Sequence, residues 1–313
     1  MSNSYLSQRL DHLRDSQNPD GGWSYQKAPG AGKQSWLEPT VYAALALHGE
    51  PAADRAWALL KGWQNREGWW PASPNVKVQG WGTALCITLA QVRGESGDAV
   101  KKAVTWLTSS AGVDASWFRR ATQKISAASD GPQDLRGWSW TPGTASSVEP
   151  SAHALVALKK AALVSPSPAL TLRIQQGEEQ LLDVQAEDSG WNYGSTSIVN
   201  GVLHGVVDVA PNSFPDTTGL ALLALQGNTK LPAQLERAQQ LFASTSSSRG
   251  RAWLSIALRI HGISVPAVPP ADVLPNDLSL LALEALAGAE GNYAFFQTQG
   301  ATVPAAKNLG AKV

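Results

Sequence analysis

Two kinds of apolar pattern alternate along the chain. One is apolar at almost every position, and its clearest copies are LEPTVYAALAL (37–47), VEPSAHALVAL (148–158) and PDTTGLALLAL (215–225). The other places apolar residues at intervals of three and four, as in YLSQRLDHLRD (5–15) and DRAWALLKGW (54–63). A helix that is apolar all round is buried on every side, whereas a helix with one apolar stripe keeps one face in water. The alternation therefore predicts buried inner helices interleaved with half-exposed outer helices.

The inner pattern recurs along most of the chain. Segments 80–90, 248–258 and 276–286 fit the same register, in which most copies have an acidic residue followed two residues later by Ser or Thr. Repeats of this kind bury their apolar helices against their neighbours. We therefore predict an all-α fold, an α/α toroid of about six helical hairpins with inner and outer helix rings. It is expected to occupy residues 1–288, with residues 289–313 as a C-terminal tail.

The turns between outer and inner helices carry a second repeat. It runs from Gln17 to Trp23 (QNPDGGW) and recurs in turns that end at Trp69, Trp138 and Trp191. Glycine adopts the left-handed conformation that ends a helix, and tryptophan covers the helix end while its indole N–H finds an acceptor. The motif is therefore interpreted first as a structural one.

These turns resemble the QW motif of squalene–hopene and oxidosqualene cyclases. The Glu-Pro-Thr/Ser start of the inner helices, as at Glu38 and Glu149, resembles the same superfamily, which includes the protein prenyltransferase β subunits. The resemblance covers about residues 5–287. It implies the toroid more specifically than it implies any one reaction, because one fold hosts several chemistries. The triterpene cyclases contain two such barrels, and this chain has room for a single one.

Composition and charge narrow the function classes. The chain has 25 basic and 25 acidic residues among 313, without a basic stripe, so nucleic acid is not an expected partner. The one cysteine, Cys86, excludes a disulfide framework and a cysteine-rich zinc site, and no cofactor or metal is predicted. No run of 18 apolar residues occurs, so a transmembrane segment is not expected, and the predicted location is the cytoplasm.

The lengths of the links indicate where a site would lie. The outer-to-inner links are long, as at 17–36, 64–80, 109–147 and 185–214, and all of them meet the N-terminal ends of the inner helices. Long loops on a rigid scaffold often carry function. Helix N-termini also favour acidic groups and anions. We therefore expect the functional site at this end of the toroid.

Asp216 is the first catalytic candidate. It lies in the sequence FPDTTG (214–219), which resembles the acid motif of the cyclases, Asp-x-Asp-Asp-Thr-Ala or Asp-Cys-Thr-Ala. The resemblance implies that Asp216 is the proton donor. Phe214 and Thr217 stand where the squalene–hopene-type motif has further aspartates, so part of the carboxylate cluster is missing. A second interpretation stays open, in which acids at this register offset the helix dipole.

Glu149 is the second catalytic candidate. It shares a helix face with His153, four residues further on. Together with His204 or Asp216 these side chains have the types that bind zinc, although a hydrogen-bonded buried histidine is the more ordinary role for His153. Ring faces stabilise cations, so the predicted substrate-binding residues are mainly aromatic: they are Trp81, Trp138, Trp191, Phe214, His153 and His204.

Two function classes follow. The first is a toroid that binds an isoprenoid or another apolar small molecule and acts as an acid-initiated terpene cyclase or isomerase. The second is a non-catalytic toroid that binds a lipid or a protein, including a second toroid chain or another copy of itself. Cavity size separates the two classes. An enzyme needs a void on the order of several hundred Å³ reaching Asp216, whereas a scaffold is filled with side chains.

Overall fold

The computed structural model describes residues 2–26, 34–76, 78, 80–113, 135–194, 212–266, 274–288 and 290–298. Six inner helices are α2 (Leu37–Ala46), α4 (Gly82–Val92), α6 (Val148–Val164), α8 (Pro215–Ala224), α10 (Ser248–Ile260) and α11 (Leu278–Ala287). Five outer helices are α1 (Ser2–Asp15), α3 (Pro51–Trp63), α5 (Asp98–Ser109), α7 (Pro168–Asp183) and α9 (Pro232–Ser244). Within these ranges the only extended pairings are two isolated bridges, Trp23 with Trp36 and Gln26 with Asp277.

The inner helices form a closed ring. Helix α2 packs on α4, α4 on α6, α6 on α8, α8 on α10, α10 on α11, and α11 returns to α2. The outer helices lie against this ring, and α1, from the start of the chain, covers α11. The backbone N–H of Leu278 donates to the carbonyl of Tyr25 at 2.8 Å and so ties the last inner helix to the first turn. The α/α toroid predicted from the alternating pattern is confirmed.

The inner helices are buried on both sides, as their composition predicts. Every residue of α2 except Glu38 is buried, and every residue of α4 except Gln91. Small and branched apolar side chains allow the helices to approach each other and to face the outer ring at once. No helix in the described part of the chain is long and apolar enough to cross a membrane.

The repeated turns have the structural role that their sequence indicated. In four turns the indole N–H of a buried tryptophan donates to the carbonyl of a leucine near the end of an outer helix. The donors are Trp23, Trp70, Trp138 and Trp191, at 2.7–2.9 Å from the oxygens of Leu13, Leu60, Leu107 and Leu181. The backbone N–H groups of the same tryptophans donate to the hydroxyls of Thr40, Thr83, Ser151 and Thr218. The Ser/Thr register of the inner helices therefore anchors these turns.

The second turn uses a different tryptophan from the predicted one. Trp70 occupies the buried position, whereas Trp69 is partly exposed and its indole N–H donates to Glu67 at 2.9 Å. The side-chain amides of Gln17 and Gln64 each donate to the carbonyl of a glycine four residues later, and the buried tryptophan follows two residues after that glycine. In these two turns the anchoring tryptophan is therefore the one six residues after the glutamine, and in the second turn this is not the first tryptophan after the glycine.

Helices α8 and α10, which carry Asp216 and Arg249, are in close backbone contact at Gly219. A Cβ atom added to Gly219 would lie 2.7 Å from the carbonyl carbon of Trp253 and 2.8 Å from the nitrogen of Leu254. Because these are backbone atoms of the neighbouring helix, they do not move aside without separating the two helices.

We expect Gly219→Ala to lower the free energy of unfolding by about 1–3 kcal/mol, the usual cost of overpacking a core. Urea unfolding measures it. Gly62→Ala is the matched control, since Gly62 is also helical and has no atom within 4 Å of the added Cβ. It should be neutral, or stabilising by up to about 1 kcal/mol. Equal stability of the two variants would show that the helices are not in close contact at Gly219.

The end of the ring that holds the inner-helix C-termini is covered by the segment 290–298. Phe295 and Phe296 are buried there, in a short 3₁₀ helix formed by Tyr293–Phe296. The side chain of Gln226 binds this segment from both sides: its amide nitrogen donates to the Phe296 carbonyl at 3.0 Å, and its oxygen accepts from Thr298 N at 2.9 Å. Access to the ring is therefore directed toward its other end.

Candidate functional site at the mouth of the ring

The first turns of the inner helices bring the charged candidates together. Pro39, Pro150 and Pro215 lie in the first turns of α2, α6 and α8, where the missing proline N–H would have no helical partner. Each proline therefore fixes a helix start next to an acidic residue. We call this end of the ring the mouth, formed by Glu38, Trp81, Glu149, Asp216, Arg249 and Asp277.

Arg249 links two of the acids at the mouth. Its guanidinium lies 3.5 Å from Glu38 Oε1 and donates to Asp277 Oδ2 at 3.2 Å. The Tyr25 hydroxyl donates to the second oxygen of Glu38 at 2.8 Å. Asp277 also caps α11, because its Oδ1 accepts the backbone N–H groups of Ser279 and Leu280 at 2.9 and 3.1 Å. Glu38 and Asp277 are therefore fixed in charged networks.

Glu149 is placed differently. Its carboxyl group has no hydrogen-bond partner among the described residues. The pKa of Glu149 is raised to about 8, mainly by burial and also by the negative charges of Glu38 and Asp216, while Arg249 acts in the opposite direction. Burial also raises the pKa of Glu38, where Tyr25 and Arg249 oppose the shift. Burial and the neighbouring acids therefore shift Glu149 toward its protonated form at neutral pH.

Below the mouth, aromatic rings fill the axis of the ring. The Tyr42 hydroxyl lies 3.3 Å from His153 Nε2, and the ring centroids of Tyr42 and His153 lie 5.9 and 5.5 Å from that of Trp253. Burial lowers the pKa of His153 to about 3, so its imidazole is neutral. The described residues contain no group of three His, Cys, Asp or Glu side chains suited to a metal ion. His204 lies outside the described residues.

The predicted aromatic residues divide into buried anchors and exposed rings. Trp138 and Trp191 are 4% and 0% exposed, because their indoles are held inside the repeated turns. Phe214 is 41% exposed and packs beside Tyr193, with ring centroids 5.2 Å apart. Every exposed aromatic ring among the described residues belongs to a segment that leads into an inner helix: these are Tyr25, Trp140, Tyr193 and Phe214.

A small pocket of 110 Å³ lies beside Trp81 at the edge of the mouth. Four tryptophans line it, including Trp106, which sequence reasoning did not select. Trp106 lies on the amphipathic outer helix α5, and its only sequence signal was that it interrupts the polar face near the helix end. Trp81 precedes α4, and α5 follows α4 after a short link, so the antiparallel pair brings Trp106 near the end of α5 next to Trp81.

A larger cavity of 680 Å³ opens on the outside of the ring, between α5 and α7. Its apolar wall includes Val100, Val104 and Leu170, and none of the residues predicted from the sequence lines it. Volume alone does not define a functional site. The mouth combines acids of perturbed pKa with exposed aromatic rings, so it is the candidate functional site.

No protein-family model matches the chain, and no curated protein matches it. Solved structures do match. A protein from Actinoplanes has a TM-score of 0.52 at 19% identity, over 91% of this chain and 79% of that chain. A variant of the type II terpene cyclase MstE from Scytonema, in complex with its product merosterolic acid A, has a TM-score of 0.53 at 18% identity, over 90% and 78%.

The same fold also hosts a different reaction. A GH76 α-mannanase from Bacteroides thetaiotaomicron matches with a TM-score of 0.54 at 10% identity, over 95% of both chains. These likenesses establish the α/α toroid, which a terpene cyclase and a mannanase share. The reaction must therefore be argued from the mouth itself.

Proposed function

We propose that the chain binds an isoprenoid or another apolar small molecule over the mouth, and that Glu149 donates a proton to it as the acid of a cyclase or isomerase. The observation that carries this proposal is the placement of Glu149: its half-buried carboxyl group receives no hydrogen bond from a described residue, and burial beside Glu38 and Asp216 raises its pKa to about 8. A proton donor has to hold its proton at the working pH and present it to the acceptor.

The surroundings of Glu149 suit that role. Asp216, the acid that the family resemblance implied as proton donor, supports Glu149 here, since its charge helps to keep Glu149 protonated. Once the proton leaves, Arg249 stabilises the new carboxylate. Exposed rings such as Phe214 and Tyr193 offer an apolar surface and stabilise positive charge on a substrate.

The pKa of Glu149 also indicates the group that receives the proton. Proton transfer is favoured when the acceptor is basic enough for the acid. An acid with a pKa of about 8 is too weak to protonate an unactivated alkene readily. An isoprenoid with an oxygen acceptor, such as a terminal epoxide, therefore fits the mouth better than a plain polyene.

A second function is favoured by the filled axis of the ring. The contacts among Tyr42, His153 and Trp253 occupy the space in which a long substrate would lie inside the ring. A non-catalytic toroid, which binds a lipid or a protein partner over its mouth, needs no such space. In that case Glu149 contributes to binding of the lipid or protein partner and does not transfer a proton.

The test is turnover by the purified protein with polyprenyl epoxides, alcohols, hydrocarbons and diphosphates, followed by mass spectrometry of the extracts. We expect a cyclised or isomerised product from an epoxide, and a loss of about 10²–10⁴-fold in Glu149→Gln. Asp216→Asn should shift the pH profile of turnover toward lower pH, because it removes a charge that raises the pKa of Glu149. Glu236→Gln, on the outer helix α9, is the control.

The outcomes separate the two functions. Product formation that survives in Glu149→Gln would overturn the assignment of the acid. Binding of a polyprenyl compound without turnover would support the non-catalytic toroid. Neither binding nor turnover with any compound of the panel would reject an isoprenoid ligand altogether.

A further inference from the structure

Half of the residues that line the small pocket at the edge of the mouth are tryptophan or proline. Its volume is 110 Å³, below the roughly 300–1,000 Å³ of sites that enclose a whole small molecule. It is therefore sized for one chemical group. The side chains that define it are Trp81, Trp106, Trp138, Trp140, Pro142 and Pro150.

Two of the walls meet at a right angle. The rings of Trp81 and Trp140 have centroids 4.9 Å apart and an interplanar angle of 78°. Such a corner surrounds a compact, roughly spherical group better than it surrounds a flat one. Ring faces carry partial negative charge and attract cations within about 6 Å, and tryptophan is the strongest of the aromatic side chains in this respect.

One tryptophan of the pocket already binds a cation of the protein. The Arg173 guanidinium lies 3.4 Å over the ring of Trp138, and it also donates to the carbonyls of Arg136 and Ser110 at 2.6 and 2.8 Å. Because Arg173 occupies the ring of Trp138, and His153 packs against Trp81 with ring centroids 5.5 Å apart, Trp140 is the exposed tryptophan of the pocket. Trp138 contributes a fixed wall.

The charges of the mouth favour a cation over an anion. Besides Glu149, whose raised pKa makes it largely uncharged, three acidic side chains lie at the mouth, against Arg249 in their network and Arg173 on the ring of Trp138: they are Glu38, Asp216 and Asp277. Pro150, which lines the pocket, belongs to the first turn of α6, so the pocket lies directly beside the mouth. An excess of acidic groups around an opening raises the local concentration of cations.

We propose that this tryptophan pocket binds a small quaternary or methylated ammonium group, such as the head group of choline. The group has the compact shape that the corner of Trp81 and Trp140 requires and the charge that the mouth favours. This binding does not depend on the function proposed above, because it involves no proton transfer at Glu149. A neutral branched hydrocarbon of the same shape is the competing occupant, and the test distinguishes the two.

The test compares choline with 3,3-dimethylbutan-1-ol, which has the same shape without the charge, by isothermal titration calorimetry and saturation-transfer NMR on the full chain. We expect choline to bind about tenfold or more tightly than the alcohol, a factor that corresponds to one desolvated cation–ring contact. Trp140→Leu should weaken choline binding by about tenfold, and Trp140→Phe should weaken it less because a ring face is kept.

Trp140 is 37% exposed, so these variants are expected to fold, and circular dichroism checks that they do. Trp69→Leu, a partly exposed tryptophan outside the pocket, should leave choline affinity unchanged. Equal affinity for choline and the alcohol would overturn the proposal in favour of a purely apolar pocket. No binding of choline, or binding that Trp140→Leu does not weaken, would also overturn it.

Discussion

Trp70→Ala is expected to lower the free energy of unfolding by about 3–5 kcal/mol, the range for truncating a fully buried tryptophan. The side chain is 1% exposed, and its indole N–H donates to the Leu60 carbonyl at 2.7 Å. Its removal leaves a cavity between the end of α3 and the start of α4. It also leaves a helix-end carbonyl without its partner. Chemical denaturation monitored by far-ultraviolet circular dichroism measures the change.

Trp69→Ala is the matched control, because it removes the same side chain one residue earlier. Trp69 is partly exposed, and its indole N–H donates to the exposed Glu67. We expect a cost below about 1 kcal/mol, as for most surface substitutions. A larger cost for Trp69→Ala than for Trp70→Ala would restore the register that the sequence motif first indicated.

The fold was predictable because its signals are local. Segments that are apolar all round, such as 37–47 and 215–225, had to be buried on every side, and they form α2 and α8. The repeated Ser or Thr in the first turn of the inner helices was visible in the sequence, but its role as a hydrogen-bond acceptor was not. The hydroxyl of Thr40 receives the backbone N–H of Trp23, from the preceding turn, and that contact is seen only when the two segments pack together.

The chemistry of the mouth was only partly predictable, because it depends on contacts between distant parts of the chain. Both acids that were selected lie at the mouth, yet the order of preference between them changes. Asp216 ranked first on its resemblance to a motif. Glu149 is distinguished by burial and by the charges of Glu38 and Arg249, which lie on other helices. No pattern along the sequence reports which acid packs among the charges of other helices.

The side-chain contacts inside the ring of helices were not predictable from the sequence either. His153 was selected for its spacing from Glu149, and the structure joins it to Tyr42, 111 residues away. That contact forms because the ring of helices closes. Both side chains also pack against Trp253. The volume inside the ring, on which the choice between enzyme and scaffold depends, is likewise a property of the whole ring and of no single segment.

Glu149→Gln is expected to make the protein more stable than the wild type at pH 8 and equally stable at pH 4. The pKa of Glu149 is about 8 in the folded protein, against an ordinary value of 4.5 in the unfolded chain. Between these values the folded state holds one more proton than the unfolded state, so wild-type stability falls as the pH rises, by up to about 1.4 kcal/mol per pH unit. Glutamine does not ionise, so this contribution disappears.

Thermal unfolding of both proteins from pH 4 to pH 8 measures the effect, as a gap in Tm that opens with rising pH. Asp216→Asn should reduce the pH dependence without removing it, because the charge of Asp216 is one of several causes that raise the pKa of Glu149, and burial is the largest. Glu236→Gln should leave the profile unchanged. Parallel profiles for wild type and Glu149→Gln would mean that Glu149 ionises normally in the folded state. A carboxylate that ionises near pH 4.5 has no proton to donate at neutral pH, so that result would also remove the basis for Glu149 as an acid catalyst.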